Sequence, residues 1–141
     1  LLLEEFQKFW RRHSETWEKK ADYTEAFPHL LIMAFLQRVI NGGGEVQREY
    51  AAGRGRMDLA IIYSKLTHVV EVKLVHTQDG RKTTLEEGLE QTASYADTVE
   101  ADTAHLVIFD RRPAWKEKPW EERLARETHT YGHRTIDVLW C

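Results

Sequence analysis

The chain has 141 residues, and this length suits one domain whose core needs neither disulfides nor a structural metal. Its formal net charge of −3 excludes a global basic field, and no apolar run approaches the ~20 residues that span a membrane, so no membrane partner is expected. The single cysteine, Cys141, excludes an internal disulfide framework and a cysteine-rich zinc site, and it favours a reducing cytoplasm.

The N-terminal residues 1–20 carry aromatic side chains at helical spacing among charged ones, including Phe6, Trp10 and Trp17. This pattern predicts an amphipathic helix that packs on the domain body or on a neighbouring domain. Because the sequence starts with Leu1 rather than Met, we expect a domain of a longer protein, with this helix linking to an upstream domain; processing of the N-terminus is the alternative. Residues 21–141 form the expected domain itself.

The remaining elements predict an α/β fold. In chain order they are a helix at 28–40, strands at 45–50, 57–63 and 69–75, a helix at 84–97 that opens with a T-x-x-E capping box, a strand at 104–109, a short helix at 119–127 and a strand at 135–140. Three consecutive strands between helices indicate a mixed central β-sheet flanked by helices.

Charged residues stand in two predicted strands that otherwise look buried. A hairpin that turns at residues 64 and 65 pairs residues at equal distances from the turn, which sets Asp58 opposite Glu71. Alternation along the strand puts Lys73 on the same face as Glu71. Both faces of the two strands are apolar, so we expect the sheet to be covered on both sides. The turn sequence is a weak hairpin signal, which leaves a register shifted by one residue as the alternative.

Two carboxylates and one ammonium group on a covered face predict a metal site. Facing carboxylates repel each other unless a cation lies between them. Mg²⁺ (or Mn²⁺) fits this role, because it takes one or two carboxylates, a carbonyl such as that of Val72, and several waters. With Lys73 beside the ion to hold a water or a phosphate oxygen, the group is equipped to hydrolyse a phosphodiester. The alternative is an ion-pair cluster at a solvated end of the sheet.

The spacing of these residues resembles a known signature. Asp58, followed after twelve residues by Glu71-Val72-Lys73, is similar to the D…(D/E)-x-K motif of the PD-(D/E)XK nuclease superfamily. Met57 stands where that family usually has a proline, which is not a chemical group of the site.

A second motif lies in the helix that follows. In GLEQTASYAD, Gln91 and Tyr95 resemble the Q-x-x-x-Y element of the RecB-like branch of this superfamily. The two residues are one helical turn apart, so they share a face. The order helix, three strands, helix, strand over residues 21–110 also resembles the core of the superfamily.

The resemblance implies a restriction-endonuclease-like fold and a metal-dependent nuclease that acts on DNA. It implies that Asp58 and Glu71 bind Mg²⁺ and that Lys73 positions the attacking water. Gln91 and Tyr95 would support the substrate.

Further resemblances add a partner and another ligand. The segments AFLQRVINGGG, REYAAGRGRMDL, GLEQTASYAD and HLVIFDRR are similar to the nuclease-like C-terminal domain of certain prokaryotic AAA-type ATPases, which implies an ATPase domain upstream in the same chain. Many superfamily members carry one more glutamate in the first core helix. Glu25 is the nearest candidate, and the alternative is a charge at the start of that helix.

Arg54 and Arg56 flank Gly55 ahead of Asp58. Glycine permits close backbone approach and arginine binds phosphate in a bidentate manner, so both arginines are candidates for contact with nucleic acid. The alternative is a flexible arm whose arginines balance nearby carboxylates.

Two other functions compete with the nuclease. The first is a catalytically inactive module with the same fold, which docks DNA or regulates an attached ATPase. The acidic net charge favours it, since phosphate neutralisation normally takes many Lys and Arg. The second is a protein–protein interaction domain that uses the N-terminal helix.

Two weaker signals have plainer explanations. His129 and His133 have an H-x3-H spacing, but no second ligand pair accompanies them and Gly132 favours a turn, so zinc is not predicted. Asp110, just ahead of two arginines, is predicted to be a turn and ion-pair residue.

Overall fold

The computed structural model describes residues 4, 6–8, 10–12, 32, 34, 36, 41, 43–49, 56–63, 65–75, 80–110 and 112–141. The elements with defined bounds are β1 (Glu45–Glu49), β2 (Arg56–Tyr63), β3 (Leu66–Leu74), α1 (Gly80–Thr98), β4 (Thr103–Phe109), α2 (Pro113–Lys116), α3 (Trp120–Arg123), β5 (Ala125–Tyr131) and β6 (Arg134–Trp140). The described residues among 4–12 and 32–36 are helical as well, as predicted for those two regions.

The described strands form one mixed six-stranded sheet in the order β1-β2-β3-β4-β6-β5. The first three strands make an antiparallel meander. β4 then lies parallel to β3, β6 lies parallel to β4, and β5 pairs antiparallel with β6 at the edge. α1 forms the crossover that a parallel β3–β4 pair requires. The predicted α/β class, a mixed sheet flanked by helices, is therefore confirmed.

One face of the sheet packs against the N-terminal helical residues. Phe6 and Trp10 are buried there in a core that includes Val70, Val72 and Phe109. The ring of Trp10 meets the ring of Phe109 edge-on, with 4.9 Å between the centroids. This face thus receives Leu59 and Ile61 of β2 and Val70, Val72 and Leu74 of β3.

The opposite face packs under α1, so the sheet is covered on both sides, as the two apolar faces of β2 and β3 predicted. Val69 and Leu106 of the sheet contact a helix face whose buried residues recur at three- and four-residue spacing. These are Thr84, Gly88, Leu89, Thr92, Ala93 and Ala96. Since most of them are small, the helix axis can approach the sheet closely.

α1 begins earlier than the capping box predicted. The helix starts at Gly80, and Thr84 lies one turn inside it with its side chain buried. The Thr84 hydroxyl donates a hydrogen bond to the carbonyl of Gly80 at 2.7 Å, which satisfies it within the helix. The predicted start at Thr84 is therefore wrong, because this threonine faces the sheet instead of capping a terminus.

The C-terminal segment also differs from its prediction. A single helix was expected over 119–127, but α3 ends at Arg123 and β5 begins at Ala125. β5 is an edge strand with mostly exposed side chains, so it lacks the apolar alternation that marks a strand in a sequence. The predicted turn at Gly132 is confirmed, since this residue has φ 60° in the hairpin between β5 and β6.

Asp110 follows β4 and is held by two arginines. Its buried carboxylate accepts hydrogen bonds from Arg112 at 2.8 Å and from Arg81 at 3.2 Å, which confirms its predicted ion-pair role. The Arg81 guanidinium also lies over the rings of Trp115 and Trp140, 4.0 and 3.8 Å from their centroids. These contacts tie the start of α1 to the C-terminal strands.

A chain of polar side chains crosses β3, β4 and β6. His68 Nδ1 lies 2.5 Å from the hydroxyl of Thr103, and this hydroxyl lies 3.1 Å from His105 Nε2. His105 Nδ1 in turn lies 3.5 Å from a carboxylate oxygen of Asp137. Burial lowers the pKa of His105 from its usual value, and Asp137 only partly opposes this effect.

Among the described residues, no helix is long and apolar enough to cross a lipid bilayer.

We expect the protein to lose stability as the pH falls below about 6.5, the ordinary value of histidine. The folded state favours neutral His105, so protonation of the unfolded chain draws the equilibrium away from the fold. The variant His105→Gln should lose less stability between pH 7.5 and 5, as measured by urea unfolding midpoints. The exposed His133→Gln is the control and should follow the wild type. Equal losses in wild type and His105→Gln would contradict the assignment.

Candidate active site

The pairing of β2 with β3 sets Asp58 directly opposite Glu71, so the predicted register is confirmed. Paired side chains of this kind have β-carbons about 4.5–5.5 Å apart. Lys73 lies two residues beyond Glu71 and so shares its face of the sheet. All three residues are buried: Glu71 has no exposed surface, and the exposed fraction of the whole residue is 6% for Asp58 and 8% for Lys73.

Glu71 occupies the middle of the sheet. Its strand, β3, has Asp58 of β2 on one side and Leu106 of β4 on the other. The adjacent position, Val72, directs its side chain into the core on the opposite face. A carboxylate in such surroundings is stable only with polar or cationic partners, because transfer of a charge from water into an apolar interior is costly. The predicted role of the Val72 carbonyl as a ligand stays a prediction.

Two side chains of α1 hold the ammonium group of Lys73. Nζ of Lys73 donates to Oε1 of Gln91 at 2.9 Å and lies 3.3 Å from Oε2 of Glu87. Glu87 and Gln91 are four residues apart, and therefore lie on one face of the helix. Gln91, a predicted site residue, is thus brought into direct contact with the predicted catalytic lysine.

Gly88 accounts for the close approach of α1 to Lys73. A Cβ atom at this position would lie 2.8 Å from Cδ2 of Leu106 and 3.3 Å from Cδ of Lys73. The aliphatic stem of Lys73 therefore runs against the helix backbone at Gly88, and its ammonium group emerges beside Glu87 and Gln91. Tyr95, one turn further along, is partly buried against the core under α1. Its predicted contact with substrate stays a prediction.

Glu87 is the residue that sequence reasoning missed. The sequence assigned Glu87 to the capping box with Thr84, and its side chain, which is 54% exposed, otherwise resembles any charge on the solvated face of a helix. The available signal was its position four residues before Gln91, which places it on the same helix face.

The other predicted residues lie partly or wholly outside the described residues. Arg56 begins β2 and pairs with Lys73 in the backbone register, but its side chain is not among those described. Glu25 and Arg54 lie outside the described residues altogether. Their predicted roles in metal binding and phosphate contact stay predictions.

The charges of the site suit a divalent cation. Among the described residues of the site, Asp58, Glu71 and Glu87 are acidic and Lys73 is basic, so acidic side chains outnumber the basic one. Carboxylate oxygens are the ligands that Mg²⁺ prefers, and it binds through one or two of them with water completing the shell. Within the part of the chain that the structure describes, no group of three or more His, Cys, Asp and Glu side chains is placed to hold a metal. The fit to a cation therefore rests on Asp58 and Glu71.

A mixed sheet with an opposed carboxylate pair, and a lysine two residues beyond the second carboxylate, defines the nuclease-like class of α/β domains. The sequence profile of the PD-(D/E)XK nuclease superfamily matches residues 23–110, and the chain belongs to this superfamily. The matched range contains β1 to β4, α1 and all three residues of the Asp58–Glu71–Lys73 site. The predicted restriction-endonuclease-like fold is confirmed. Comparisons with curated proteins and with solved structures gave no significant match.

Gly88→Ala should destabilise the protein by about 1 kcal/mol, because two opposing effects do not cancel. Alanine improves helix propensity by about 1 kcal/mol, whereas forcing a methyl group into a packed core costs about 1–3 kcal/mol. Leu106, the nearest neighbour, is fully buried and has little room to move. Urea unfolding measures the difference. The exposed Ser94→Ala on the same helix serves as control and should be neutral or slightly stabilising. A gain in stability for Gly88→Ala would show that α1 does not press on the sheet there.

Proposed function

We propose that this protein is a metal-dependent nuclease that hydrolyses the phosphodiester bonds of DNA. The observation that carries the proposal is the buried, opposed pair Asp58 and Glu71 with Lys73 on the same face. Membership of a nuclease superfamily supports a nucleic-acid substrate. DNA is favoured by the resemblance of Gln91 and Tyr95 to the RecB-like motif.

Asp58 and Glu71 supply the metal ligands in this mechanism. Their burial removes competing water, and a cation held by the two carboxylates would relieve their mutual repulsion. Mg²⁺ or Mn²⁺, when bound, would supply Lewis acidity toward the phosphate and would activate a water molecule. The Val72 carbonyl and Glu25 are proposed as further ligands.

Lys73 acts on the reacting atoms. Its ammonium group donates to the attacking water or to a non-bridging phosphate oxygen, and it stabilises the negative charge that develops there. Because Lys73 is buried, this charge interaction is stronger than it would be in water. Water adds to phosphorus and loses a proton to solvent, while the bond from phosphorus to the leaving oxygen breaks and that oxygen takes up a proton from solvent.

The residues around the site have two proposed roles: they position Lys73 and they contact the substrate. Gln91 fixes the lysine through the 2.9 Å hydrogen bond to Nζ. Tyr95, Arg54 and Arg56 are proposed to contact the nucleic-acid backbone. Such contacts are needed because the chain carries a net charge of −3 and has no general attraction for phosphate.

The same net charge supports a second candidate function. A catalytically inactive module with this fold would dock DNA or regulate an ATPase domain attached upstream in the same chain. The upstream ATPase is proposed from the sequence resemblance to C-terminal domains of AAA-type ATPases. Metal binding separates this candidate from the first, because docking alone does not need an acidic pair that holds a cation.

Asp58→Ala and Lys73→Ala should each lower Mg²⁺-dependent cleavage of DNA by roughly a hundredfold or more, as loss of a transition-state contact does. The measurement is the rate of cleavage of a labelled duplex, with circular dichroism to confirm that the variants are folded. Glu90→Ala and Lys118→Ala, both at exposed positions, are the matched controls and should keep wild-type rates. Undiminished cleavage by both site variants would reveal a contaminating nuclease and refute the proposal.

Mn²⁺ should raise the melting temperature of the wild type, because a ligand that binds only the folded state stabilises it by mass action. In Glu71→Gln, which keeps the side-chain size but removes the charge, the rise should be abolished or much reduced. Calorimetric titration with Mg²⁺ and Mn²⁺ gives the affinities directly. No binding near millimolar metal with DNA present would favour the inactive docking module.

A further inference from the structure

Two side chains of α1 contact Lys73, and only one of them, Gln91, is part of a sequence motif of the nuclease superfamily. Gln91 accepts a hydrogen bond from Nζ at 2.9 Å, and Glu87 lies 3.3 Å from the same nitrogen. Glu87 is not part of the D…(D/E)-x-K motif or the Q-x-x-x-Y motif. Glu87 nevertheless contacts the ammonium group of Lys73, which is proposed to act on the attacking water or the phosphate.

We propose that Glu87 is a positioning residue, which orients the ammonium group of Lys73 for the nuclease reaction. The inference rests on the proposed function. Glu87 acts through Lys73 and is not required to touch the substrate or the cation.

The reason for such a residue lies in the length of the lysine side chain. A lysine has four rotatable side-chain bonds, and fixing them costs up to about 2 kcal/mol of conformational entropy. In this protein the stem is fixed first, since Cδ of Lys73 lies against the helix backbone at Gly88. Glu87 and Gln91 then fix the charged end with two acceptors on one helix face. Catalysis depends on such placement, because a displacement of about 1 Å can cost two orders of magnitude in rate.

The contribution of Glu87 should come from hydrogen-bond geometry more than from charge. The Lys73 side chain is 10% exposed, but the Glu87 side chain is 54% exposed, so water screens the ion pair at its acidic end. A neutral acceptor of the same length should therefore preserve much of the effect. Glu87→Gln retains an oxygen acceptor, whereas Glu87→Met keeps the length and has only a weak thioether acceptor.

The chain offers a matched control on the same helix. Glu90 is an exposed glutamate of α1, three residues after Glu87 and one residue before Gln91. Glu90→Met makes the same change in charge, size and helix propensity without touching Lys73. Any effect of lost negative charge near the DNA appears in both variants, while an effect on Lys73 appears only in Glu87→Met.

The test is steady-state cleavage of a labelled duplex with Mg²⁺ in the wild type and the three variants, with unfolding midpoints to confirm folded protein. We expect Glu87→Met to lower kcat about tenfold without raising KM, as expected when an interaction that serves the transition state is removed. Glu87→Gln should lose only about threefold in kcat, because one acceptor remains. Glu90→Met should match the wild type.

The outcomes separate the two proposals. A wild-type protein that does not cleave DNA refutes the proposed function and this inference with it. Cleavage by the wild type with equal kcat in Glu87→Met and Glu90→Met refutes this inference alone. An equal loss in Glu87→Gln and Glu87→Met also overturns it, because charge and not the hydrogen bond would then be responsible. A higher KM with unchanged kcat would assign Glu87 to substrate binding instead.

Discussion

The antiparallel pairing of β2 with β3 is the constraint on which the site depends, since it alone brings Asp58 from one strand to Glu71 of the next. A shift of one residue would move the charged set of one strand to the opposite face of the sheet. Two separate cores oppose that shift, because apolar side chains of β3 are buried on both faces. The acidic pair is therefore stabilised by residues that take no part in chemistry. The weak turn at Lys65, which has φ 67°, is sufficient because packing fixes the register.

The close seat of α1 is the second requirement. The buried face of this helix contains threonine, glycine, alanine and one leucine, and the threonines and the glycine are weak helix formers. Its stability must come largely from packing on the sheet, as for most helices in globular proteins. That arrangement allows Lys73 to be covered by backbone at Gly88 and met by Glu87 and Gln91 on either side. A helix with larger buried residues would stand further from the strand and leave the lysine with fewer contacts.

Much of the site could be predicted from the sequence, because strand alternation is a local property. The face shared by Asp58, Glu71 and Lys73 follows from counting residues in two strands around one turn. Three features could not be found in this way. Thr84 is a residue type that often caps a helix, but its hydroxyl donates a hydrogen bond to the carbonyl of Gly80. It lies inside the helix because its side chain is buried against the sheet. β5 is defined by its ladder with β6 and has no apolar pattern of its own. Glu87 is half exposed, so its contact with Lys73 is visible only when helix and strand are seen together.

The two faces of β3 contact different parts of the protein. Glu71 and Lys73 face α1. Their neighbours Val70 and Val72 face the opposite core, which contains Phe6 and Trp10. Tolerance to substitution should consequently alternate residue by residue along this strand. On the aromatic side, an apolar residue of similar volume is acceptable, because only shape and hydrophobicity are used there. On the other face, shortening Glu71 or Lys73 by one methylene, or removing the charge of either, should impair the proposed nuclease reaction. The four residues from Val70 to Lys73, roughly 10 Å of strand, thus carry two independent sets of requirements, and a mutational scan should show these as a period of two residues.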